Sequence, residues 1–173
     1  MSNAEPRSVL LIGYGNPGRL DDGLGPALAE AIGRRDLPGL TAEADYQLTV
    51  EDAAQAAEHD VVLFADADAI GPEPFSVRAV APEFAAPGWS SHAILPGAVL
   101  GLARGLFGAE PTGLLLGIRG YEFDAFGERL SPGARANLDA ALAWVDNAVR
   151  KGTFHEVHPP ETEEGQTCRT EST

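Results

Sequence analysis

Residues 8–23 read SVLLIGYGNPGRLDDG, an apolar run followed by a glycine-rich turn and two adjacent acids. The apolar run predicts a buried strand over residues 9–13, and apolar residues at helical spacing begin again near Leu24. A strand, a turn and a helix in this order are typical of the first unit of an α/β sheet. The acids Asp21 and Asp22 stand just before the predicted helix, where their charges attract a cation and repel a phosphate.

The rest of the chain continues this alternation of strand-like and helix-like segments. Further strands are predicted at 40–45, 61–65, 75–80 and 114–118, with 75–80 as an edge strand. Further helices are predicted at 50–58, at 92–107 and from Ser131-Pro132 onward. We therefore predict a single α/β domain over residues 8–150, with a twisted, mostly parallel five-stranded sheet and helices on both faces. The polar stretch 151–173 has no apolar periodicity and is predicted to be a disordered acidic tail.

The composition of the chain excludes several classes of function. The formal net charge of −14 over 173 residues argues against a nucleic-acid partner, which requires basic surface. No apolar run reaches the roughly 18–20 residues that span a bilayer, and the first residues do not resemble a signal peptide. One cysteine, Cys168, excludes a disulfide framework or a cysteine metal cluster within one chain. We expect a monomeric cytoplasmic protein that binds neither membrane nor nucleic acid.

Polar side chains follow three predicted strands, at or near the points where those strands end. Asp21 and Asp22 follow the first strand, Asp66 and Asp68 follow the third, and His92 begins a helix after the fourth. Carboxyl ends of parallel strands meet at one edge of the sheet, where ligands bind near the point at which strand order reverses. Two carboxylates and one imidazole suit a first-row divalent metal such as nickel, zinc or iron.

Each of these residues also has a purely structural interpretation. Asp22 would serve equally well as a helix cap, Asp66 as an acceptor for loop amides, and a single histidine is more often structural than a metal ligand. His59 precedes the third strand and is expected at the opposite edge of the sheet. The gathering of Asp22, Asp66 and His92 at one edge favours the metal site, since unrelated structural residues are not expected to converge there.

The turn at Gly13–Gly18 also satisfies the G-x-G-x-x-G pattern of dinucleotide-binding proteins. Such turns bind pyrophosphate through free N–H groups at a helix N-terminus, in a region of positive potential. Here Asp21 and Asp22 follow the turn, and Asp45 stands about 27 positions after Gly18 rather than the roughly 20 that is usual for the ribose-binding acid. A nucleotide-binding module is therefore the less favoured alternative.

Several motifs occur in a fixed order within residues 8–150. They are Gly13-Tyr14-Gly15-Asn16, Asp21-Asp22-Gly23-Leu24-Gly25, Asp66-Ala67, Ser91-His92, Leu115-Leu116-Gly117-Ile118 and Leu130-Ser131-Pro132. In order and spacing they resemble the motifs of the nickel–iron hydrogenase maturation endopeptidases. The first two motifs are the most specific of the set, and the two dipeptides carry weight only through their positions.

This resemblance implies an enzyme that removes a short C-terminal extension from the precursor of a hydrogenase large subunit after nickel has been inserted. It implies that Asp22, Asp66 and His92 are the metal-binding and catalytic residues, with the nickel supplied by the substrate. Family members often carry glutamate where this chain has Asp22, which is one methylene shorter but has the same donor atoms. Many also carry an Asp-Gly-Gly-Thr-like turn where this chain has residues 45–48, in a loop that we expect to help select the partner hydrogenase.

Roles for the remaining acids stay open at this stage. Asp21 or Asp68 would orient a ligand or accept a proton, and sequence does not assign either. A non-catalytic, metal-dependent hydrogenase assembly factor would carry the same ligands, so it remains an alternative to the endopeptidase.

Overall fold

The structure is a computed structural model that describes residues 8–84 and 94–157. The strands are β1 Val9–Tyr14, β2 Leu40–Asp45, β3 Val61–Asp68, β4 Phe75–Val80 and β5 Thr112–Arg119. The helices are α1 Leu24–Gly33, α2 Asp52–Ala57, α3 Pro96–Phe107 and α4 Pro132–Lys151, with 3₁₀ turns at Leu20–Gly23 and Thr153–Glu156. The strands form one sheet in the order β2-β1-β3-β5-β4, and β4 is antiparallel to β5 while the other pairs are parallel. The predicted fold class and the edge position of β4 are confirmed.

Helices cover both faces of this sheet because the apolar side chains of β1 alternate between them. Val9 and Leu11 pack into the layer formed with α1 and α4, whereas Leu10 and Ile12 pack into the layer formed with α2 and α3. Strands buried on both faces read as the continuous apolar runs seen in the sequence. No described helix combines the length and the apolar character needed to cross a membrane.

Two element boundaries differ from the sequence-based expectation by three residues or more. Strand β3 continues to Asp68, three residues beyond the predicted end, because its polar last residues pair with β5 as far as Arg119. Helix α3 begins at Pro96 rather than at residue 92, since proline is favoured at a first helical position and disfavours helical geometry in the residue before it. His92 itself lies outside the described residues.

The C-terminal end of the domain also differs from the expected boundary at residue 150. Helix α4 begins with the predicted cap, in which the Ser131 Oγ accepts the Ala134 N–H, and it continues to Lys151. A 3₁₀ turn follows, and its buried Phe154 ring packs against Trp144 with a centroid separation of 5.7 Å. Residues 151–157 therefore belong to the folded domain, while the predicted tail from residue 158 onward lies outside the described residues.

Close contact between α1 and the sheet explains two glycines of the opening motifs. A β-carbon on Gly25 would lie 2.4 Å from the Tyr14 carbonyl oxygen and 2.5 Å from that of Ala65. One on Gly13 would lie 2.0 Å from the Gly25 carbonyl oxygen. The start of α1 therefore rests directly on the backbone of β1 and β3, which fixes the loop that precedes it.

Replacing Gly25 with alanine is expected to lower the free energy of unfolding by about 3 kcal/mol, because rigid backbone atoms must move to admit the methyl group. Gly105→Ala in α3 is the matched control, since no atom of the described residues beyond its chain neighbours and the adjacent helix backbone lies within 4 Å of its β-carbon position. That change is expected to raise stability by about 0.5–1 kcal/mol through helix propensity. Urea denaturation measures both, and equal stabilities would contradict the close packing.

Candidate functional site

The candidate site lies at the carboxyl-terminal edge of the sheet, between β1 and β3. The chain leaves β1 for β2 on one side and then crosses to β3 on the other, so strand order reverses at this point. Open α/β sheets bind ligands in the crevice formed there. Asp22 lies in the 3₁₀ turn after β1, and Asp66 is the sixth residue of β3.

Asp22 is held by the glycine-rich turn rather than by the helix that follows it. Its Oδ2 accepts the backbone N–H of Asn16 at 2.8 Å. The N-cap of α1 is Gly23, and no side chain caps that helix within the described residues. The helix-cap interpretation of Asp22 is therefore wrong, and the half-buried carboxylate is presented at the sheet edge.

Asp66 is the most perturbed acid of the site. Burial raises its pKa to about 6, because the ionised form loses contact with water. The Ala67 N–H, which donates to Oδ1 at 2.8 Å, and the hydroxyl of Tyr14 act as donors that favour the ionised form. The negative charges of Asp22 and Asp68 oppose ionisation and raise the pKa further. The charge of Asp22 is thus one of the causes that raise the pKa of Asp66.

Tyr14 is a site residue that the sequence did not single out. Burial raises the pKa of its phenol, and the adjacent negative charge of Asp66 raises it further, so the hydroxyl stays protonated and acts as a donor. The motif Gly13-Tyr14-Gly15 placed it beside the site, but only the pairing of β1 with β3 brings its side chain to Asp66.

The carboxyl group of Asp66 is expected to titrate near pH 6 in a carbon-detected NMR experiment. Tyr14→Phe should raise that pKa, because it removes a donor that stabilises the ionised form. Since the folded-state pKa lies above the ordinary value of 3.8, this group should make the protein less stable as pH rises from about 4 to 6. Tyr46→Phe serves as the control, and a pKa near 4 for Asp66 would contradict the described environment.

Asp21 has a different role from its neighbour. Its side chain is fully buried, and its carboxylate accepts four hydrogen bonds from the segment between β5 and α4. The donors are Tyr121 N at 2.8 Å, Glu122 N at 2.9 Å, Ser131 N at 2.7 Å and Ser131 Oγ at 2.7 Å. Burial alone would raise the pKa of Asp21, but the N–H groups of Ser131, Glu122 and Tyr121 outweigh it and lower the pKa. Asp21 therefore fixes the turn that carries Asp22 instead of facing a ligand.

Of the remaining residues considered in the sequence, Asp68 and His59 make local structural contacts, and His92 lies outside the described residues. Asp68 closes the turn after β3 by accepting the N–H groups of Ile70 at 3.0 Å and Gly71 at 2.8 Å. The ring of His59 contacts the Gln55 carbonyl oxygen at 2.8 Å, before β3 and away from the site. Within residues 8–84 and 94–157, no group of three histidine, cysteine, aspartate or glutamate side chains is placed to hold a metal ion. His92 falls between these ranges, so the three-ligand set stays a prediction.

The turn at residues 13–18 does not offer its N–H groups to a phosphate. Gly15 N donates to the Asp45 carbonyl oxygen, Asn16 N to Asp22, and Gly18 N to the Asn16 side chain. Arg19 N donates to the Asn16 carbonyl oxygen, and Pro17 has no N–H to donate. These internal hydrogen bonds, together with a helix that starts only at Leu24, disfavour the dinucleotide-binding interpretation.

Comparison with solved structures places this fold among hydrogenase maturation proteases. The nickel–iron hydrogenase maturation protease HycI from Thermococcus kodakarensis aligns with 85% of this chain and 95% of its own, at 18% identity and a TM-score of 0.63. The hydrogenase maturating endopeptidase HybD from E. coli aligns with 84% and 93%, at 20% identity and a TM-score of 0.62. A hydrogenase 2 maturation peptidase from a Thaumarchaeota archaeon aligns with 83% and 99%, at 21% identity and a TM-score of 0.61.

These similarities show a shared fold, which confirms the fold that the sequence motifs implied. Neither a protein-family model nor a curated protein sequence matches this chain.

Proposed function

We propose that this protein is an endopeptidase that removes the C-terminal extension of a nickel–iron hydrogenase large-subunit precursor after nickel insertion. The observation that carries the proposal is the position of Asp22 and Asp66 at the strand-order switch point, where the charge of Asp22 helps to raise the pKa of Asp66. Proteins named as hydrogenase maturation proteases share the fold that creates this point. His92 completes the proposed ligand set.

Nickel enters this proposal as part of the substrate. Carboxylate oxygens and an imidazole nitrogen are suitable ligands for such a divalent ion. Without a cation, the negative charge of Asp22 helps to raise the pKa of Asp66, whereas a bound cation would favour the ionised form of Asp66. The site is thus suited to distinguish a precursor that carries its metal from one that does not.

Peptide hydrolysis requires an attacking water, a polarised carbonyl group and a protonated leaving amine. In one version of the mechanism, the substrate's metal polarises the scissile carbonyl group. In the other, the metal only docks the precursor, and a carboxylate takes the proton from the attacking water. Asp66 would serve in the second role only while it is not bound to the metal, because its pKa of about 6 belongs to the carboxyl group without a cation.

The direct test is incubation of the purified protein with nickel-loaded and nickel-free precursor, followed by mass spectrometry of the precursor. We expect a shortened product only from the nickel-loaded form. His92→Ala should abolish both docking and cleavage, and cleavage at the normal rate would overturn the three-ligand model. Binding of nickel-loaded precursor without any loss of mass would identify the protein as a non-catalytic assembly factor.

A further inference from the structure

Three large apolar side chains are exposed at the same edge of the sheet as the acid pair. Tyr46 follows β2 and is 64% exposed, Ile70 follows β3 and is 91% exposed, and Phe126 follows β5 and is 87% exposed. We call these three residues the apolar rim. Single exposed apolar residues are ordinary, but several around one polar centre mark a binding surface.

Each rim residue is linked by a short contact path to one of the two acids. The Tyr46 hydroxyl accepts a hydrogen bond from the Asn16 side chain, and the Asn16 N–H donates to Asp22. Ile70 donates its N–H to Asp68, whose charge acts on Asp66. The rim therefore flanks the acid pair on the β2 side and on the β3 side.

Phe126 reaches the same centre from the segment between β5 and α4. The Arg19 guanidinium carbon lies 5.7 Å from the centre of the Phe126 ring, and the Arg19 carbonyl oxygen accepts the Asp22 N–H at 3.2 Å. Hydrogen bonds between Gly127 and the backbone of Gly18 and Leu20 hold this segment against the turn that carries Asp22. The position of Phe126 is thus fixed by the same turn that positions the acid.

We infer that the apolar rim docks the part of the hydrogenase precursor that surrounds its bound metal, an inference that rests on the proposed function. The occupant must bring positive charge to the centre, because the negative charges of Asp22 and Asp68 both act on Asp66 at the end of β3. It must bring apolar side chains to the periphery, where Tyr46, Ile70 and Phe126 are exposed. A metal centre framed by apolar protein surface meets both conditions.

The negative charge of the acid pair also disfavours two other possible occupants of the apolar rim. A second copy of this chain would set an identical acidic centre against this one, and each copy carries a formal net charge of −14. Residues 158–173 contain four glutamates and one arginine, so this segment too would bring negative charge to a negative centre. The precursor surface around the bound metal cation is the occupant that charge complementarity favours.

The test measures KM and kcat for nickel-loaded precursor with the variants Ile70→Ser and Phe126→Ser. Each is expected to raise KM at least about tenfold with kcat unchanged, because truncating an exposed apolar anchor weakens docking without touching the reacting groups. The control is Leu106→Ser, which removes a side chain of similar exposure, 69%, near the end of α3 and far from the rim. Circular dichroism melting should show that all three variants remain folded.

The outcomes separate this inference from the proposed function. If the wild type cleaves and the rim variants match Leu106→Ser, the docking inference is overturned while the proposed function stands. If the wild type does not cleave, precursor binding is measured directly by calorimetry. Weaker binding by the rim variants would then support docking without catalysis, and equal binding or none would overturn the inference as well.

Discussion

Asp22→Asn and Asp66→Asn should each reduce cleavage of nickel-loaded precursor by about 100-fold or more. Each substitution removes a charge from a partly buried pair that we propose to bind the substrate's nickel. Losing the carboxylate from such a contact between a carboxylate and a cation costs about 2–5 kcal/mol, and every 1.4 kcal/mol is a factor of ten. Time courses of precursor shortening, followed by mass spectrometry, measure the effect.

The control for this pair of variants is Asp36→Asn. Asp36 is exposed just after α1, so its substitution changes net charge by the same amount without reaching the site. We expect it to cleave at the wild-type rate. Cleavage by Asp22→Asn or Asp66→Asn within about threefold of this control would contradict the assignment of that carboxylate to the site.

Asp21→Asn should have the largest effect on stability, lowering the free energy of unfolding by about 3–5 kcal/mol. The carboxylate accepts four hydrogen bonds while fully buried, and an amide replaces one of its oxygens with a group that only donates. At least one buried N–H would then face another donor. Urea denaturation at neutral pH measures the loss.

The difference in stability between the wild type and Asp21→Asn depends on pH because folding lowers the pKa of Asp21. Because the folded-state pKa of Asp21 is lowered, its contribution to stability is fully present above the ordinary value of 3.8 and is lost as pH falls through the folded-state pKa. The gap between wild type and Asp21→Asn should therefore narrow in acid. Asp139→Asn, an exposed position on α4, is the control and should stay within about 0.5 kcal/mol of the wild type. If Asp21→Asn lowered the free energy of unfolding by less than about 1 kcal/mol, the structural role of the four hydrogen bonds to Asp21 would be contradicted.

Local patterns in the sequence were sufficient to predict most of the fold. The strands β2 and β4 have the predicted bounds. Pro38-Gly39 precedes β2, and Pro74 and Pro82 flank β4, where proline interrupts strand pairing. The last residues of β3 were not predictable from periodicity, since Asp66 and Asp68 are polar and remain in the strand only through pairing with β5. A strand end that depends on pairing with a distant strand cannot be predicted from the local sequence pattern.

Part of the candidate site was likewise predictable from the local sequence, and part depends on contacts with distant residues. Asp22 and Asp66 were predicted together because the carboxyl ends of neighbouring parallel strands meet at one edge. The different roles of Asp21 and Asp22 were not predictable from composition or spacing, because they are set by hydrogen bonds to residues about 100 positions away. The contribution of Tyr14 likewise depends on which strand lies beside β1.

Anomalous diffraction from crystals soaked with nickel or cadmium tests the central claim most directly. The account predicts one peak within about 2.0–2.4 Å of a carboxylate oxygen of Asp22, a carboxylate oxygen of Asp66 and a ring nitrogen of His92. An empty site with these side chains more than about 8 Å apart would contradict it, since ligand bonds are near 2 Å.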